Sequence, residues 1–452
     1  MKRWWLLLSL LSSLGHAQEI RIIVPYTRFS LPNGLNVLLH EDHTTPSVAV
    51  NIWYNVGSGR EKPGRTGFAH LFEHIMFMGS LHVPEGKFDQ WLEAAGGDNN
   101  ASTSEDRTNY FENAPSNALE LPLFLESDRL AYLIPALTPD KVDAQRDVVK
   151  NERRQSYENR PYGMASIIIG EHVFPPAHPY HWPTIGSMED LSAASYDDVV
   201  EFFRKYYVTA NASLCIAGDI DPVKTRRLVE YWFSDVPAGP RVPPSGAPVA
   251  YLTEEKRIVH EDNVQLPRLY MSWLSPAIYT PGDAELDILS MVLAGGRNSR
   301  LYKRLVYELQ IAQDVAAYQA SQALGSYFQI VVTARSGHGL AELERVVQSE
   351  LDRIKVEPPA AREVGRAVNQ YEASFLRRLE SISNKSDQLN GYYTLTGNPD
   401  YFNEDLSRYK AIDPPDICSV ARTYLPDNAR VVLSVVPLGK KELAATGGKE
   451  GK

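Results

Sequence analysis

Cysteine is scarce in this sequence, and its scarcity excludes the small disulfide-rich folds. The chain has two cysteines in 452 residues, whereas a fold held together by disulfides needs several. Cys215 lies in the apolar run 214–217, which is typical of a buried strand, and Cys418 lies in a segment of helical character. We therefore expect two separate buried thiols rather than a disulfide bridge.

Runs of basic residues and long apolar stretches are also missing. The formal net charge is −10 and the sequence pI is about 5.6. An acidic chain without basic tracts is not expected to bind nucleic acid. Beyond residues 1–17, no segment approaches the roughly 18 apolar residues that a membrane-spanning helix needs. We therefore expect no stable membrane span in the mature chain.

The N-terminus has the three parts of a secretory signal peptide within residues 1–17. Lys2 and Arg3 form a charged start, residues 4–14 are apolar, and residues 15–17 read Gly-His-Ala, a small-residue cleavage site. This pattern predicts export and, for a bacterial protein, a periplasmic location. An uncleaved N-terminal anchor is the alternative interpretation.

Length and composition divide the rest of the chain into two parts. A chain of 452 residues exceeds what one hydrophobic core usually supports. The proline-rich stretch 236–250 is typical of an interdomain linker. We predict an N-terminal domain at 18–235, a C-terminal domain at 251–438 and a disordered polar tail at 439–452.

A repeated pattern favours duplication of one unit. The segment Glu189 to Ser192 reads Glu-Asp-Leu-Ser and precedes a helical run and an apolar strand, and the segment Glu404 to Ser407 begins the same series. Such internal similarity indicates two related units. The predicted fold class is α+β, with two homologous α/β halves, each a sheet flanked by helices, joined by the proline-rich linker.

Local patterns predict several elements of the first half from turn residues, alternation and helix caps. They are a hairpin around Asn33-Gly34, a half-buried strand at 48–56, a helix at 67–78 capped by Thr66, a helix at 86–95, and a long helix that begins at Thr138-Pro139 and runs to about Asn159.

The run His70-Leu71-Phe72-Glu73-His74 carries the strongest chemical signal. Histidines four residues apart lie on one face of a helix, about 6 Å apart along its axis, and can reach one metal ion. Zinc suits such ligands, and the adjacent glutamate can accept a proton from attacking water. This inverted motif is a metallopeptidase signature. Two surface histidines on an amphipathic helix are the alternative.

A catalytic zinc needs a third protein ligand, and we expect a carboxylate on a second helix. Glu152 lies on the predicted helix after Thr138, and three valines of that helix are expected to pack it inward near Glu152, namely Val142, Val148 and Val149. From the residues alone three other glutamates remain possible, namely Glu112, Glu120 and Glu126.

The run from Gly67 to Pro115 resembles the active-site region of the pitrilysin and insulin-degrading-enzyme family. The length and the two-half layout are similar to the short branch of that family, which includes the mitochondrial processing peptidase subunits. The resemblance implies a zinc metalloendopeptidase with one zinc ion per chain. It implies His70, His74 and Glu152 as ligands and Glu73 as the general base.

The polar segment 99–103 follows Gly96-Gly97 and is typical of an edge strand. In the family, the matching strand takes the peptide substrate as an added strand, a mode that gives affinity with little demand on sequence. The resemblance therefore implies Asn100, Ala101 and Thr103 as substrate contacts. A plain solvated hairpin is the alternative.

The second half shows no comparable metal motif. Shifting the first motif by the repeat offset reaches Asp287, Ser290 and Met291, which cannot form such a site. We therefore expect one half to carry the metal and the other to be an inactive repeat.

The chain departs from the family pattern at three positions. The family often has a second glutamate seven residues before the third ligand, where this chain has Gln145, and we expect this change to weaken the orientation of the site without removing a ligand. The family also has an arginine and, seven residues later, a tyrosine in the second half, and these positions fall on Val306 and Gln313. We predict that a sister subunit without a metal motif supplies the missing pair in a heterodimer. A homodimeric peptidase that depends less on this pair is the alternative.

A different class of function remains as an alternative: a non-catalytic subunit that binds metal for assembly or binds peptides. Glu73 argues against it, because a structural zinc needs no base and normally has four protein ligands.

Overall fold

The computed structural model describes residues 21–240 and 242–445. The predicted signal peptide, residues 1–17, lies outside the described residues. In the described part of the chain, no helix is both long and apolar enough to cross a bilayer. Cys215 and Cys418 are both buried and both free, so the prediction of separate thiols is confirmed.

Two β-sheets lie at the centre of the two halves. The first sheet consists of β1 to β6, which span Thr27–Ser30, Asn36–Glu41, Ser47–Tyr54, Asp98–Thr103, Thr108–Pro115 and Ala212–Gly218. The second sheet consists of β7 to β11, which span Lys256–Asp262, Arg268–Ser275, Ala312–Ala320, Ser326–Ala334 and Val431–Pro437.

The two sheets have the same topology. The first has the strand order β1-β2-β6-β3-β5-β4 and the second has β7-β11-β8-β10-β9. In both sheets the last strand of the half lies between the first strand common to both sheets and the next one. It pairs in parallel with the former, as β6 with β2 and β11 with β7, and all other pairs are antiparallel. β1 is an addition at the edge of the first sheet. The predicted fold of two related α/β halves is confirmed.

Helices flank both sheets. In the first half they are α1 to α8, at Phe68–Ile75, Lys87–Ala94, Glu120–Ala136, Pro139–Arg153, Ala165–Val173, Met188–Ala193, Tyr196–Tyr206 and Pro222–Phe233. In the second half they are α9 to α14, at Asp283–Ala294, Leu340–Val356, Ala361–Arg378, Ile382–Thr396, Phe402–Lys410 and Pro414–Tyr424. The repeated Glu-Asp-Leu-Ser segments lie in α6 and α13, each followed by a helix and the last strand of its half.

Each half contributes one helix that covers the sheet of the other half. α12 packs on β3 and β6, while α5 packs on β8 and β11. Gly391 of α12 lies against the ring of Trp53 so closely that a Cβ there would be 3.2 Å from the indole. The prediction that residues 48–56 are half-buried is therefore wrong, because β3 is buried on both faces along nearly its whole length.

The start of α1 differs from the prediction in its cap. The helix begins at Phe68, and Gly67 before it has φ 85°, a left-handed conformation that glycine adopts without strain. Thr66 does not cap the helix, because its hydroxyl donates to Asp190. The buried carboxylate of Glu61 instead accepts the N–H groups of Gly67 (2.9 Å) and Ala69 (2.7 Å). A negative charge at this helix end is favourable.

The long helix after Thr138 is confirmed. The Thr138 hydroxyl accepts the N–H of Lys141 (3.4 Å), and Pro139 occupies the first turn, where a missing N–H costs nothing. α4 continues into a π-helical turn at Arg154–Glu158, which ends at Asn159. α4 packs against α1.

The predicted linker 236–250 contains neither helix nor strand where it is described, at 236–240 and 242–250. The predicted disordered tail is wrong for residues 439–445. Ala444 and Ala445 are buried, and the Ala445 N–H donates to the Ser434 hydroxyl (3.0 Å). The small apolar side chains let this segment pack on the second half, which a polar composition did not indicate.

Candidate metal centre

The amphipathic character of α1 decides which side chains reach the site. Leu71, Phe72 and Ile75 are fully buried in the core of the first half. His70, Glu73 and His74 are only partly buried and lie on the face that meets α4 and β4. The same short helix therefore anchors itself in the core and presents the motif.

Glu152 of α4 joins the two histidines. Its Oε2 lies 3.3 Å from His74 Nε2 and 3.7 Å from His70 Nε2. One ligand atom from each of the three residues lies within 4.8 Å of the others, and among the described residues this is the one such group of three. The structure thus brings together the three residues that the sequence analysis selected.

The other glutamates considered for the third position lie elsewhere. Glu112 and Glu126 are buried and both contact Arg129, and Glu120 accepts the indole N–H of Trp232 (3.3 Å). The predicted packing of α4 is partly wrong. Val142 and Val149 are fully buried, but Val148 is 45% exposed, because it lies on the face turned away from α1.

The donor set fits a zinc ion. Two ligand atoms at about 2.1 Å from a tetrahedral zinc lie roughly 3.4 Å apart, close to the distances from Glu152 to the histidines. Burial lowers the pKa of His70 to about 4, so its imidazole is neutral at pH 7, as a ligand must be. The hydrogen bond with His74 lowers the pKa of Glu152, which keeps the carboxylate ionised.

Gln145 does not support the histidines. Its side-chain amide donates to the sulfur of Met78 (2.8 Å). Nδ1 of His70 is buried and has no hydrogen-bond partner in the described part of the chain. Metal-binding histidines usually donate their other ring nitrogen to an acceptor that orients the ring. The structure therefore assigns Gln145 no orienting role and leaves the His70 ring without this support.

The side chain of Glu73 has a hydrogen-bond partner, Thr103, which was expected to contact the substrate instead. The hydroxyl of Thr103, at the end of β4, donates to Glu73 Oε2. Burial raises the pKa of Glu73, and the hydrogen bond from Thr103 acts in the opposite direction. Thr103 was expected as a substrate contact, but its side chain is engaged with the glutamate. No local pattern indicates this contact, since the residues are 30 apart in the chain.

β4 is the edge strand that the sequence predicts. It pairs with β5 from Asp98↔Asn113 to Thr103↔Thr108, and the Ser104 N–H continues the ladder by donating to Arg107 O (2.9 Å). By antiparallel alternation, the backbone groups of Asn99, Ala101 and Thr103 face away from β5. The Ala101 N–H is met by the side chain of Asn100 (2.8 Å). A peptide that displaces this amide can add to the edge.

The equivalent region of the second half has other contacts. Asp287 accepts the hydroxyl of Tyr409 (2.8 Å). Val306 is half-buried in a π-helical turn at Tyr302–Glu308, and Gln313 is exposed on β9. The two arginines just before Val306 are both engaged with glutamates: Arg304 donates to Glu308 (2.9 Å), and Arg300 is held by Glu363 through two hydrogen bonds of 2.9 Å.

Two family models match the chain. The model described as insulinase, peptidase family M16, matches residues 36–166, which include His70, Glu73, His74 and Glu152. The model described as the peptidase M16 inactive domain matches residues 193–371, which include Val306 and Gln313. The division between the two models agrees with the distribution of the candidate ligands.

The chain is similar over most of its length to named relatives. A zinc protease PqqE of Helicobacter pylori is 27% identical over 439 residues, 95% of this chain and 97% of the relative. A probable mitochondrial-processing peptidase subunit beta of Arabidopsis thaliana is 21% identical over 430 residues, 92% of this chain and 79% of the relative.

Solved structures show the same architecture. The crystal structure of a protease from Helicobacter pylori matches with a TM-score of 0.84 and 26% identity, covering 92% of this chain and 100% of that one. The first half of the periplasmic protease PqqL from Escherichia coli matches in fold, with a TM-score of 0.75 and 18% identity, covering 91% of this chain and 92% of that one.

Proposed function

The chain belongs to the insulinase family of peptidases, family M16, and from this membership we propose that it is a zinc metalloendopeptidase that cleaves peptides or unfolded segments. The observation that carries the proposal is the convergence of His70, His74 and Glu152 from two helices, with Glu73 beside them. The relatives named as zinc proteases support zinc as the metal.

The roles of the residues follow from their positions. His70, His74 and Glu152 would hold the zinc ion, which supplies a Lewis acid for the attack of water on a peptide carbonyl. Glu73 accepts the proton of that water and returns it to the leaving amine. Thr103 holds the Glu73 carboxylate in one orientation. The edge of β4, with Asn100 and Ala101, binds the peptide backbone as an added strand.

We further propose that the chain is exported to the periplasm and acts as the zinc-bearing subunit of a heterodimer. Export is supported by residues 1–17 and by the fold shared with a periplasmic protease half. The partner is proposed because Val306 and Gln313 stand where the family has an arginine and a tyrosine. Val306 has no polar side-chain atom, and Gln313 replaces the phenolic hydroxyl with an uncharged amide, so the charged arginine and its tyrosine are both missing. A sister subunit would supply this pair.

A non-catalytic subunit that binds metal or peptides is the second candidate. The match of residues 193–371 to an inactive-domain model favours it. The retained Glu73 opposes it, because a subunit that only binds has no use for a proton acceptor next to the metal.

The deciding experiment measures cleavage of quenched-fluorescent peptides by the mature protein, alone and with a co-expressed sister subunit, together with zinc content. The heterodimer proposal expects activity only in the mixture and about one zinc per pair. Full activity of the chain alone would exclude the shared site.

Glu73→Gln in the same mixture is the control for catalysis. This change is expected to keep zinc and to reduce turnover by about 10²- to 10⁴-fold, the usual contribution of a general base. Bound zinc without cleavage in any sample would favour the binding subunit.

A further inference from the structure

A cavity of about 350 Å³ lies where the two halves meet, next to the end of β4. It is bounded by the turn 104–107 between β4 and β5, by the equivalent turn 321–324 between β9 and β10, and by residues 244–245 of the linker. The two turns are in direct contact, since the Ala323 N–H donates to the Asp106 carboxylate (2.9 Å).

Arg107 enters this cavity in a fixed orientation. Its Nη1 donates to both the carbonyl oxygen (2.7 Å) and the hydroxyl (2.6 Å) of Ser102. Its guanidinium carbon lies 5.2 Å from the centre of the Trp53 ring. Nε and Nη2 donate to no described residue, and the side chain lines the cavity. One edge of the guanidinium fork is therefore held rigidly while the other is free.

Arg107 has no ion-pair partner among the described residues, although carboxylates lie nearby. Asp106 accepts the Tyr180 hydroxyl and the Ala323 N–H, and Asp387 accepts the indole N–H of Trp53 (2.9 Å). Glu105, on the same turn, forms no ion pair with Arg107, and burial raises the pKa of its carboxyl group. Asp106 and Asp387 are thus paired with neutral donors, and no described carboxylate neutralises the positive charge of Arg107 by direct contact.

An unpaired arginine away from bulk water is costly. Burial lowers the pKa of Arg107, which reports that its charged form is poorly solvated. The free edge of the Arg107 guanidinium group, formed by Nε and Nη2, matches the geometry of a carboxylate and can bind it through two parallel hydrogen bonds. The cost of desolvating Arg107 is recovered when such a ligand arrives.

We propose that Arg107 binds a carboxylate of the peptide substrate and that the enzyme consequently prefers acidic peptides. Arg107 contacts Ser102, the neighbour of Thr103, whose hydroxyl contacts Glu73. At about 3.3 Å per residue along a strand, the carboxylate belongs within one to three residues of the cleaved bond. Ser102 and Thr103 face opposite sides of β4, so the acidic side chain points away from α1.

This inference deepens the proposed function, because it needs a peptide bound along β4. The carboxylate can be an Asp or Glu side chain or the C-terminus of a short peptide. Both present the same chemistry to Arg107. The experiment therefore contains one arm for each source.

The test uses the zinc-loaded full-length protein with Glu73→Gln, so that peptides bind without being cleaved. Fluorescence anisotropy measures the affinity of labelled peptides that differ only by Glu or Gln at one position, each with a free or an amidated C-terminus. We expect about 10- to 100-fold tighter binding for Glu at one position, or for the free C-terminus, as for a charge-assisted hydrogen-bonded pair.

Two arginines of the same cavity serve as variant and control. Adding Arg107→Gln is expected to abolish the preference. Arg60→Gln is expected to leave it unchanged, because Arg60 is anchored to the linker through the carbonyl of Pro243 (2.7 Å), whereas Arg107 is anchored to Ser102 of β4, where the peptide binds. Equal affinity for the Glu and Gln peptides with either C-terminus, or the same preference after Arg107→Gln, would overturn the inference.

Two further measurements keep the result interpretable. Thermal unfolding shows whether Arg107→Gln remains folded. If it does not, Arg107→Lys replaces it, and a fully retained preference in that variant contradicts the need for a fork. A carboxylate preference without cleavage by the wild-type mixture would refute the peptidase but not the Arg107 site.

Discussion

In the first half, α1 turns two histidines and a glutamate toward α4 and β4, whereas the equivalent helix α9 of the second half carries Asp287, Ser290 and Met291. The sheets beneath the two helices have the same strand order. The difference teaches that the fold is maintained by the apolar core, and that the candidate site depends on a few side chains placed on it.

The halves are nevertheless not independent. α5 and α12 occupy equivalent places in the chain, and each covers the sheet of the opposite half. Polar contacts reinforce this exchange, because Asp387 of α12 accepts hydrogen bonds from Asn51 (3.1 Å) and Trp53 (2.9 Å) of β3. The second half, which has no metal motif, thus covers the sheet of the half whose helix α1 carries the motif.

The largest effect is expected from separating the halves. Residues 21–240 alone would expose Leu38, Trp53 and Cys215, which the second half covers. Burying one large apolar side chain contributes about 1.5–3 kcal/mol, a large share of the 5–15 kcal/mol typical of a whole fold. We expect no cooperative urea transition for either half alone and recovery on co-expression. A sharp transition in an isolated half would contradict this.

The next effect concerns the metal ligands, and an exchange of residues between the halves sharpens the comparison. His74→Met gives α1 the residue that α9 has at the equivalent position, and Met291→His does the reverse. We expect His74→Met to weaken zinc binding by more than the roughly 10- to 100-fold seen when a supporting residue is lost. Met291→His should bind no additional zinc. Zinc content after dialysis measures both, and a second zinc in Met291→His would show that the second half retains a latent site.

A smaller effect is expected at Thr103. Thr103→Val preserves the shape of the side chain but removes the hydroxyl that donates to Glu73. We expect kcat to fall about tenfold with little change in KM, as for the loss of one hydrogen bond of roughly 1.4 kcal/mol. Thr103→Ser, which keeps the hydroxyl, is the matched control and should retain most activity. A rise in KM with unchanged kcat would instead indicate a substrate contact.

The smallest effect is expected in the second half, where Asp287 takes the place of His70. Burial raises the pKa of Asp287 to about 7. Between its ordinary pKa near 4 and 7, the folded chain holds a proton that the unfolded chain releases. Stability therefore falls as the pH rises through this window and stays lower above it.

Asp287→Asn removes this penalty and keeps an acceptor for Tyr409. We expect a gain on the order of 1 kcal/mol at pH 8, little change at pH 4, and unchanged zinc content. Asp283→Asn is the contrasting control, because Asp283 pairs with Arg408 (2.6 Å), and its loss should destabilise the fold. Thermal unfolding at both pH values distinguishes the two, and a destabilised Asp287→Asn would show that the carboxylate is required in its charged form.

Much of the candidate site could be predicted because its signals are local or repeated. The spacing of His70 and His74 on one helix places both imidazoles on one face whatever surrounds them. The cap at Thr138 predicts the helix that brings Glu152 back to α1, although selecting Glu152 among several glutamates required the family resemblance. The repeated Glu-Asp-Leu-Ser segments and the proline-rich stretch predicted two related halves before any strand was paired.

The wrong predictions for residues 48–56 and for Val148 share one cause. The alternation at 48–56 indicates a strand with one solvated face, but α12, more than 300 residues later in the chain, covers that face. Val148 was expected inside by its apolar character, yet the rotation of α4 against α1 places it outside. Periodicity describes one element at a time, and it contains no information about which distant element packs against it.

By itself, the sequence determined the metal motif, the cap of α4 at Thr138, the edge strand and the duplication, because each depends on residues close together in the chain or on a pattern repeated along it. Only the tertiary structure decided that Thr103 holds Glu73, that Arg107 stands unpaired beside Trp53, and that each half covers the other. These features join residues far apart in the chain, and packing selects them among many alternatives that the local sequence leaves equally possible.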